Sequence, residues 1–297
     1  MEKMLGLKAY AKVNLQLDVL GRRSDGYHEL AGVMQSISLY DDVTLAASEA
    51  ESARIAVDFD LEVPFDNTVR KAAKLFLSDS PYSVTVSVKK HIPSEAGLGG
   101  ASADAAAVLQ GLNTLFEGTK LERTNEELAA IGLAVGADVP FCLQGGCAVA
   151  RGVGERLCAL PSLPLTVFII KGERGVSTGR LFELFDRQCG EKSGPQLPDY
   201  ALDKLTLAIR EGDLAAIGRN MCNALQPAAQ SIAPEIGEHV SLMKRFGALG
   251  ACMTGSGSAS VGVFADRASA EPLSEHLAAR RSACGEKLFF GVFDTVG

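Results

Sequence analysis

The chain has 297 residues, 47% of them hydrophobic and 22% charged, with a formal net charge of −7. That length allows one large or two modest domains with proper cores, and the composition excludes a disordered polymer. The acidic balance argues against a general nucleic-acid or anionic-membrane surface, although local basic clusters can still serve an anionic small molecule.

Residues 5–19 alternate almost without fault. Leu5, Leu7, Ala9, Ala11, Val13, Leu15, Leu17 and Val19 share one face, and Lys8, Tyr10, Lys12, Asn14, Gln16 and Asp18 the other, which is the period of a half-buried strand. Residues 21–26 (GRRSDG) read as a turn. Two strand-like runs follow, 33–40 and 43–46, separated by Asp41 and Asp42. Asp66 or Asn67 then caps a helix whose apolar stripe is Val69, Ala72, Ala73, Phe76 and Leu77. Residues 83–88 (SVTVSV) predict a strand that runs into a glycine-rich loop. Beyond the loop Ala105, Val108, Leu109, Leu112, Leu115 and Phe116 recur at helical spacing. Thr124 and Glu127 have the spacing of a capping box for another helix, which stops at Gly136.

In the second half, residues 165–170 form an apolar strand candidate and 178–188 a helix. Residues 190–198, rich in Gly and Pro, predict an exposed loop. Residues 199–211 and 213–225 read as amphipathic helices with aspartate caps, and 234–246 as a third, stopped by Gly247. A second glycine-rich loop, TGSG at 254–257, is flanked by strand-like runs and followed by a helix over 266–281; residues 288–292 are the last strand candidate. No repeat is visible. The pattern predicts an α+β chain in two lobes divided near residues 152–164, giving domains 1–158 and 159–297. The seven cysteines form no C-x-x-C pair and the four histidines are dispersed. Free thiols in a reducing cytoplasm are therefore expected, with no disulfide framework, structural zinc or histidine metal cluster. The N-terminus lacks a basic-then-apolar signal pattern and no apolar run approaches membrane-spanning length, so no membrane partner is expected.

Residues 92–107 (IPSEAGLGGASADAAA) carry the most chemistry. Gly97, Gly99 and Gly100 allow φ > 0 and leave no side chains between backbone amides and a ligand. Unpaired N–H groups and the positive end of the helix dipole then face one place, which suits a phosphate. A P-loop would need a lysine here, and a dinucleotide fingerprint a glycine where Ser102 stands. The plain structural alternative is a tight strand-to-helix turn. Without a lysine in the loop, phosphate charge must be neutralised by a metal ion or by lysines distant in sequence. A metal, if needed, should arrive with the nucleotide.

Three segments together resemble the GHMP kinase superfamily: Ala11-Lys12-x-Asn14-Leu15, Pro93-x-x-x-Gly97-Leu98-Gly99-Gly100-x-Ser102, and MTGSG at 253–257. Within it, the run 11–30 containing Gly26-Tyr27-His28, and GADVP at 136–140, resemble the branch acting on a cytidyl diphospho-alcohol. The resemblance implies an N-terminal lobe of the ribosomal-protein-S5-like type and a ferredoxin-like C-terminal lobe. It implies transfer of the γ-phosphoryl group of ATP, with Mg²⁺, to the 2-hydroxyl of that small-molecule alcohol on the way to isoprenoid precursors. Pro93, Ser94, Glu95, Ala96, Gly97, Leu98, Gly99, Gly100, Ala101, Ser102 and Ala103 carry over as the ATP-phosphate segment. Asn67 and Lys90 carry over as nucleotide contacts. Ala101 and Ala103 depart from the family pattern, standing where glycine and a second serine are usual.

For each candidate residue a plain reading stands beside the one the resemblance implies. Lys12 alone is a lysine on a solvated strand face; the resemblance makes it the catalytic cation that polarises the acceptor hydroxyl and offsets charge on the transferred group. Asp138, between Gly136 and Pro140, alone is the N-cap of a short helix starting at Val139; the resemblance makes it the general base. Ser102 caps the phosphate-loop helix or stands near Mg²⁺, for which no protein ligand is assigned. Tyr27 and His28 alone are an exposed turn tyrosine and a surface histidine. By resemblance they stack on cytosine and hydrogen-bond its edge, with Phe182 as the other stacking face. Asn14 is a further implied substrate contact; Gly255 and Gly257 alone make a tight turn, and by resemblance lie near the diphosphate or the sugar-like alcohol. A GHMP kinase for homoserine, mevalonate or a sugar, a decarboxylase of the diphosphomevalonate type, and a non-catalytic nucleotide sensor are the alternatives. The presence of both Lys12 and Asp138 speaks against the sensor.

Overall fold

The computed structural model describes residues 3–297 apart from 53, 79, 190–196, 199 and 286. The opening alternation becomes β1 (Lys3–Arg22), and its apolar face is buried from Ala9 to Val19. The opposite face is not solvated as the period predicts: Lys12, Asn14, Gln16 and Asp18 are all buried as well. β1 is an interior strand over this stretch. Along one edge its backbone is met by Leu98, by Thr254 and by a two-residue strand, β8 (Cys222–Asn223), paired in parallel at Gln16 and Leu17.

The two runs expected on either side of Asp41-Asp42 are one unbroken strand, β2 (His28–Glu49). An acid in mid-strand was read as a break. Here Asp41 is fully buried, and its carboxylate accepts hydrogen bonds from Lys90 Nζ, His91 N and Ile92 N. A buried carboxylate with that many donors is satisfied where it stands, so the ladder continues past it.

The chain divides into two compact units, each built from several segments. The first comprises Met1–Ala11, Leu39–Ile92 and Gly99–Gly145. In it β3 (Arg54–Phe59) runs parallel to β4 (Tyr82–Lys89), which pairs antiparallel with β2. Against these strands lie α1 (Thr68–Leu77), α2 (Gly100–Leu115), α3 (Asn125–Val135) and α4 (Val139–Gln144), around Val43, Leu45, Phe76, Val84, Val86, Leu109 and Leu112. The expected start signals are present. Asn67 Oδ1 accepts from Arg70 N at 2.9 Å, and Thr124 and Glu127 form a reciprocal capping box. Gly111 lets α2 sit close to the sheet, since a Cβ there would run into the Leu45 and Leu7 side chains.

The second unit comprises Lys12–Ser38, Pro93–Leu98 and Gly146–Gly297. β5 (Cys147–Gly152) pairs antiparallel with β2 and with β6 (Arg156–Leu160). β7 (Thr166–Lys171), β9 (Gly250–Met253), β10 (Ser260–Phe264) and β11 (Phe289–Asp294) make an antiparallel sheet in the order β11-β7-β10-β9. Helices α5 (Thr178–Cys189), α6 (Ala201–Glu211), α7 (Leu214–Arg219), α8 (Gln226–Ile232), α9 (Glu235–Arg245) and α10 (Arg267–Cys284) complete it. The helix expected over 213–225 ends at Arg219. Asn220 caps it, and the next residues leave helical register to pair with β1, while the Asn223 side-chain amide donates to Met253 O at 2.9 Å and Gly255 O at 2.8 Å. β3, β5 and β6 were not anticipated. Most of the loop expected over 190–198, and the aspartate cap expected at 199, lie outside the described residues. No described helix is long and apolar enough to cross a membrane.

Candidate active site

In the second unit the sequence motifs converge on a few backbone contacts. Lys12 N donates to Leu98 O at 2.9 Å, tying the opening strand to the glycine-rich loop. Two residues on, Asn14 N donates to Thr254 Oγ1 at 2.8 Å, tying the same strand to the TGSG loop. The two loops also pair with each other: Ser258 N donates to Glu95 O and Ala259 N to Ala96 O, both at 3.1 Å. Gly97 (φ 72°) and Gly255 (φ 55°) stand where they meet. A Cβ on Gly97 would collide with the Thr254 carbonyl and lie 3.0 Å from Gly257 N; one on Gly255 would lie 2.7 Å from Gly97 O. Glycine is required here by backbone approaching backbone, as well as by φ.

The Lys12 side chain is 4% exposed, and its Nζ donates to Asn14 Oδ1 at 2.8 Å. A buried ammonium is costly unless polar groups hold it, so this is a positioned charge and not a solvated strand lysine. Nearby in the chain, Arg23 and Asp25 form the turn that carries Tyr27. Tyr27 is 65% exposed, whereas His28 is 8% exposed. The His28 ring stacks on Phe182 from α5, with centroids 4.5 Å apart and planes at 22°. Its Nε2 lies 2.7 Å from Asp186 Oδ1, one helical turn beyond Phe182. The start of α5 also reaches the TGSG loop, through Thr178 Oγ1 and Ser256 Oγ at 2.7 Å.

In the first unit, Gly99 (φ 71°) is the N-cap of α2, and Gly100 opens the helix without positive φ. Thr68 Oγ1 donates to Ala101 O at 2.8 Å, which fixes the first turn of α2 against α1. Both polar atoms of the Asn67 side chain are engaged locally, Oδ1 by Arg70 N and Nδ2 with Pro64 O and Phe65 O. Lys90 Nζ donates to Asp41 Oδ2 and to Asp104 Oδ2. Among the described residues Asp104 Oδ1 has no hydrogen-bond partner, and burial pushes the carboxyl up from 3.8 to about 7, against the pull of Lys90. Asp138 occupies the N-cap of α4 and makes no capping bond with its side chain. Ser102 Oγ faces the same turn, 3.8 Å from where a Gly136 Cβ would be.

Sequence reasoning did not anticipate Asp41, Asp104, Asp186, Asn223 or Thr254. The acid interrupting two apolar runs was the one visible sign of Asp41; nothing local marks Asp186 as the partner of a histidine 158 residues away. Among the described residues no group of three or more His, Cys, Asp or Glu could hold a metal. Burial pushes the Cys147 thiol to about 12 and Cys222 to about 11, and raises Cys252 as well. Such thiols do not form nucleophilic thiolates near neutral pH.

The description "GHMP kinases N terminal domain" matches residues 67–146, and "GHMP kinases C terminal" matches residues 205–282. The 4-diphosphocytidyl-2-C-methyl-D-erythritol kinase of Caldicellulosiruptor saccharolyticus is 40% identical over 276 residues, covering 91% of this chain and 92% of that one. The enzyme of the same name from Desulfitobacterium hafniense is 42% identical over 270 residues, covering 90% and 89%. A crystal structure of 4-(cytidine 5'-diphospho)-2C-methyl-D-erythritol kinase superposes with a TM-score of 0.76 at 32% identity, over 99% of this chain and 100% of that one.

Proposed function

Since the chain belongs to the GHMP kinases and, among them, to the 4-diphosphocytidyl-2-C-methyl-D-erythritol kinases, we propose that it moves the γ-phosphoryl group of ATP to the 2-hydroxyl of 4-diphosphocytidyl-2-C-methyl-D-erythritol. The product lies on the methylerythritol phosphate route to isoprenoid precursors. The observation that carries this reading is Lys12: a buried ammonium on a strand whose own backbone holds the glycine-rich loop through Leu98.

Phosphoryl transfer passes through a loose transition state, so placement and charge matter more than proton removal. Lys12 Nζ, held by Asn14 Oδ1, is the cation that draws the acceptor oxygen and offsets charge on the moving group. Asp138 accepts the hydroxyl proton as the new O–P bond forms. Residues 93–103 present backbone amides and the start of α2 to the ATP phosphates. Mg²⁺ brought by the nucleotide would supply charge neutralisation of its phosphate oxygens. Tyr27, His28 and Phe182 hold the cytosine ring.

The test is an ATP-dependent phosphorylation assay on a panel containing 4-diphosphocytidyl-2-C-methyl-D-erythritol, homoserine, mevalonate and a free sugar. Turnover of the cytidyl alcohol with at least tenfold preference over the others is expected. Faster turnover of another alcohol, or no ADP formed with any of them, would sink the assignment.

A further inference from the structure

His28 carries more information than its place beside an exposed tyrosine. It is 8% exposed, stacked face to face on Phe182, and its Nε2 lies 2.7 Å from Asp186 Oδ1. The other Asp186 oxygen lies 3.6 Å from Arg22 Nη1. A carboxylate only accepts hydrogen bonds, so the Nε2 atom facing it carries a proton. Turning the ring over in its plane would take Nε2 away from Asp186 and forfeit that hydrogen bond, so the observed orientation is the favoured one. Nδ1 is the remaining polar atom of the ring. In a neutral ring whose proton is on Nε2, Nδ1 is an acceptor.

We infer that Asp186 is a positioning residue that fixes His28 as an Nδ1 acceptor and thereby selects cytosine over uracil. Cytosine offers an exocyclic amino group, a donor, at the ring position where uracil offers a carbonyl oxygen, an acceptor. An Nδ1 lone pair matches the first and faces the second acceptor to acceptor. A site built around a hydrogen bond rejects an analogue that cannot make it far more strongly than shape alone can. Phe182 and Asp186 are four residues apart on α5, so one helix face supplies both the stacking plane and the acceptor for the Nε2 proton. The inference rests on the proposal that His28 contacts the base.

The experiment is calorimetric titration of the full-length protein with CDP and with UDP, comparing wild type, His28→Ala, Asp186→Ala and Asp186→Asn. Wild type should prefer CDP by about tenfold or more, the equivalent of about 1.4 kcal/mol. Asp186→Ala should collapse that preference mainly by weakening CDP. Asp186→Asn, whose amide oxygen can still accept from Nε2, should retain most of it. Equal weakening of CDP and UDP in Asp186→Ala, or an unchanged preference, would mean that Asp186 only supports α5, and would overturn the inference. If His28→Ala itself leaves the preference intact, the base contact fails instead, and the two failures are told apart. Should Asp186→Ala not fold, the side-chain ¹⁵N shifts of His28 in the wild-type protein decide the matter. A proton on Nδ1, in either the neutral or the doubly protonated ring, overturns it.

Discussion

Lys12 and Asp138 reach their posts by different routes, and the difference sets what each substitution should do. Lys12 is buried in β1 with its ammonium on Asn14 Oδ1. Lys12→Met keeps most of the stem and removes the charge, so the fold should survive. Loss of a preorganised donor of this kind typically lowers kcat by about 10²–10³. Asp138 stands at the N-cap of α4; Asp138→Asn keeps the side-chain shape and removes the base, and should lower kcat by about 10²–10⁴. Single-turnover rates with ATP affinity measured separately would check both; near-wild-type turnover in either variant would remove that residue from the mechanism. The alternation of residues 5–19 made Lys12 legible as a strand residue. It could not reveal the burial, because Leu98, Thr254 and β8 come to β1 from far along the chain. Lys90 was legible as a cation near the loop, but its salt bridges to Asp41 and Asp104 depend on pairing between β2 and β4 and on the first turns of α2.

At the scale of elements, the glycine-rich loop contains two glycines with the same φ and different neighbours. Gly99 takes a left-handed conformation at the N-cap of α2, and on that account Gly99→Ala should cost about 1–2 kcal/mol. Gly97 also packs against the backbone of Thr254 and Gly257. Backbone cannot swing aside as a flexible side chain would, so Gly97→Ala should cost clearly more and displace the TGSG loop. Thermal unfolding of both variants, with and without ATP, would check this ordering; equal losses would mean that the loops do not depend on each other. The elements that could be read in advance were those with complete local signals: the caps at Asn67 and Thr124, and the alternation in β1 and β4. Residues 213–225 misled because the helical pattern continues past Arg219, while the competing partners of Cys222 and Asn223 lie on β1, at the end of β9 and just after it.

For the molecule as a whole, Asp104 links stability to pH. Its carboxyl titrates at about 7 in the folded chain against 3.8 for an ordinary aspartate. Between those values the folded chain holds a proton that the unfolded chain has lost, so stability should fall as pH rises through that window. The contribution is complete below the lower value and gone above the upper one. Urea unfolding at about pH 5 and about pH 8 should show the decline in wild type and a smaller one in Asp104→Asn. An identical slope in the variant would assign the effect to other groups.

The pairing of Glu95 and Ala96 with Ser258 and Ala259 has a consequence for how the protein is made. During synthesis the glycine-rich loop emerges early, yet its partners follow only after some 157 further residues, the separation of Gly97 and Thr254. Contacts so remote in sequence form after local ones, since their loop-closure entropy must be met first. Nucleotide affinity should therefore return late during refolding from denaturant, behind most of the helical signal, and a fluorescent ATP analogue followed beside circular dichroism would show whether the two recover in that order. A nascent chain lacking its last strands would carry the whole glycine-rich motif and still be unable to hold a nucleotide.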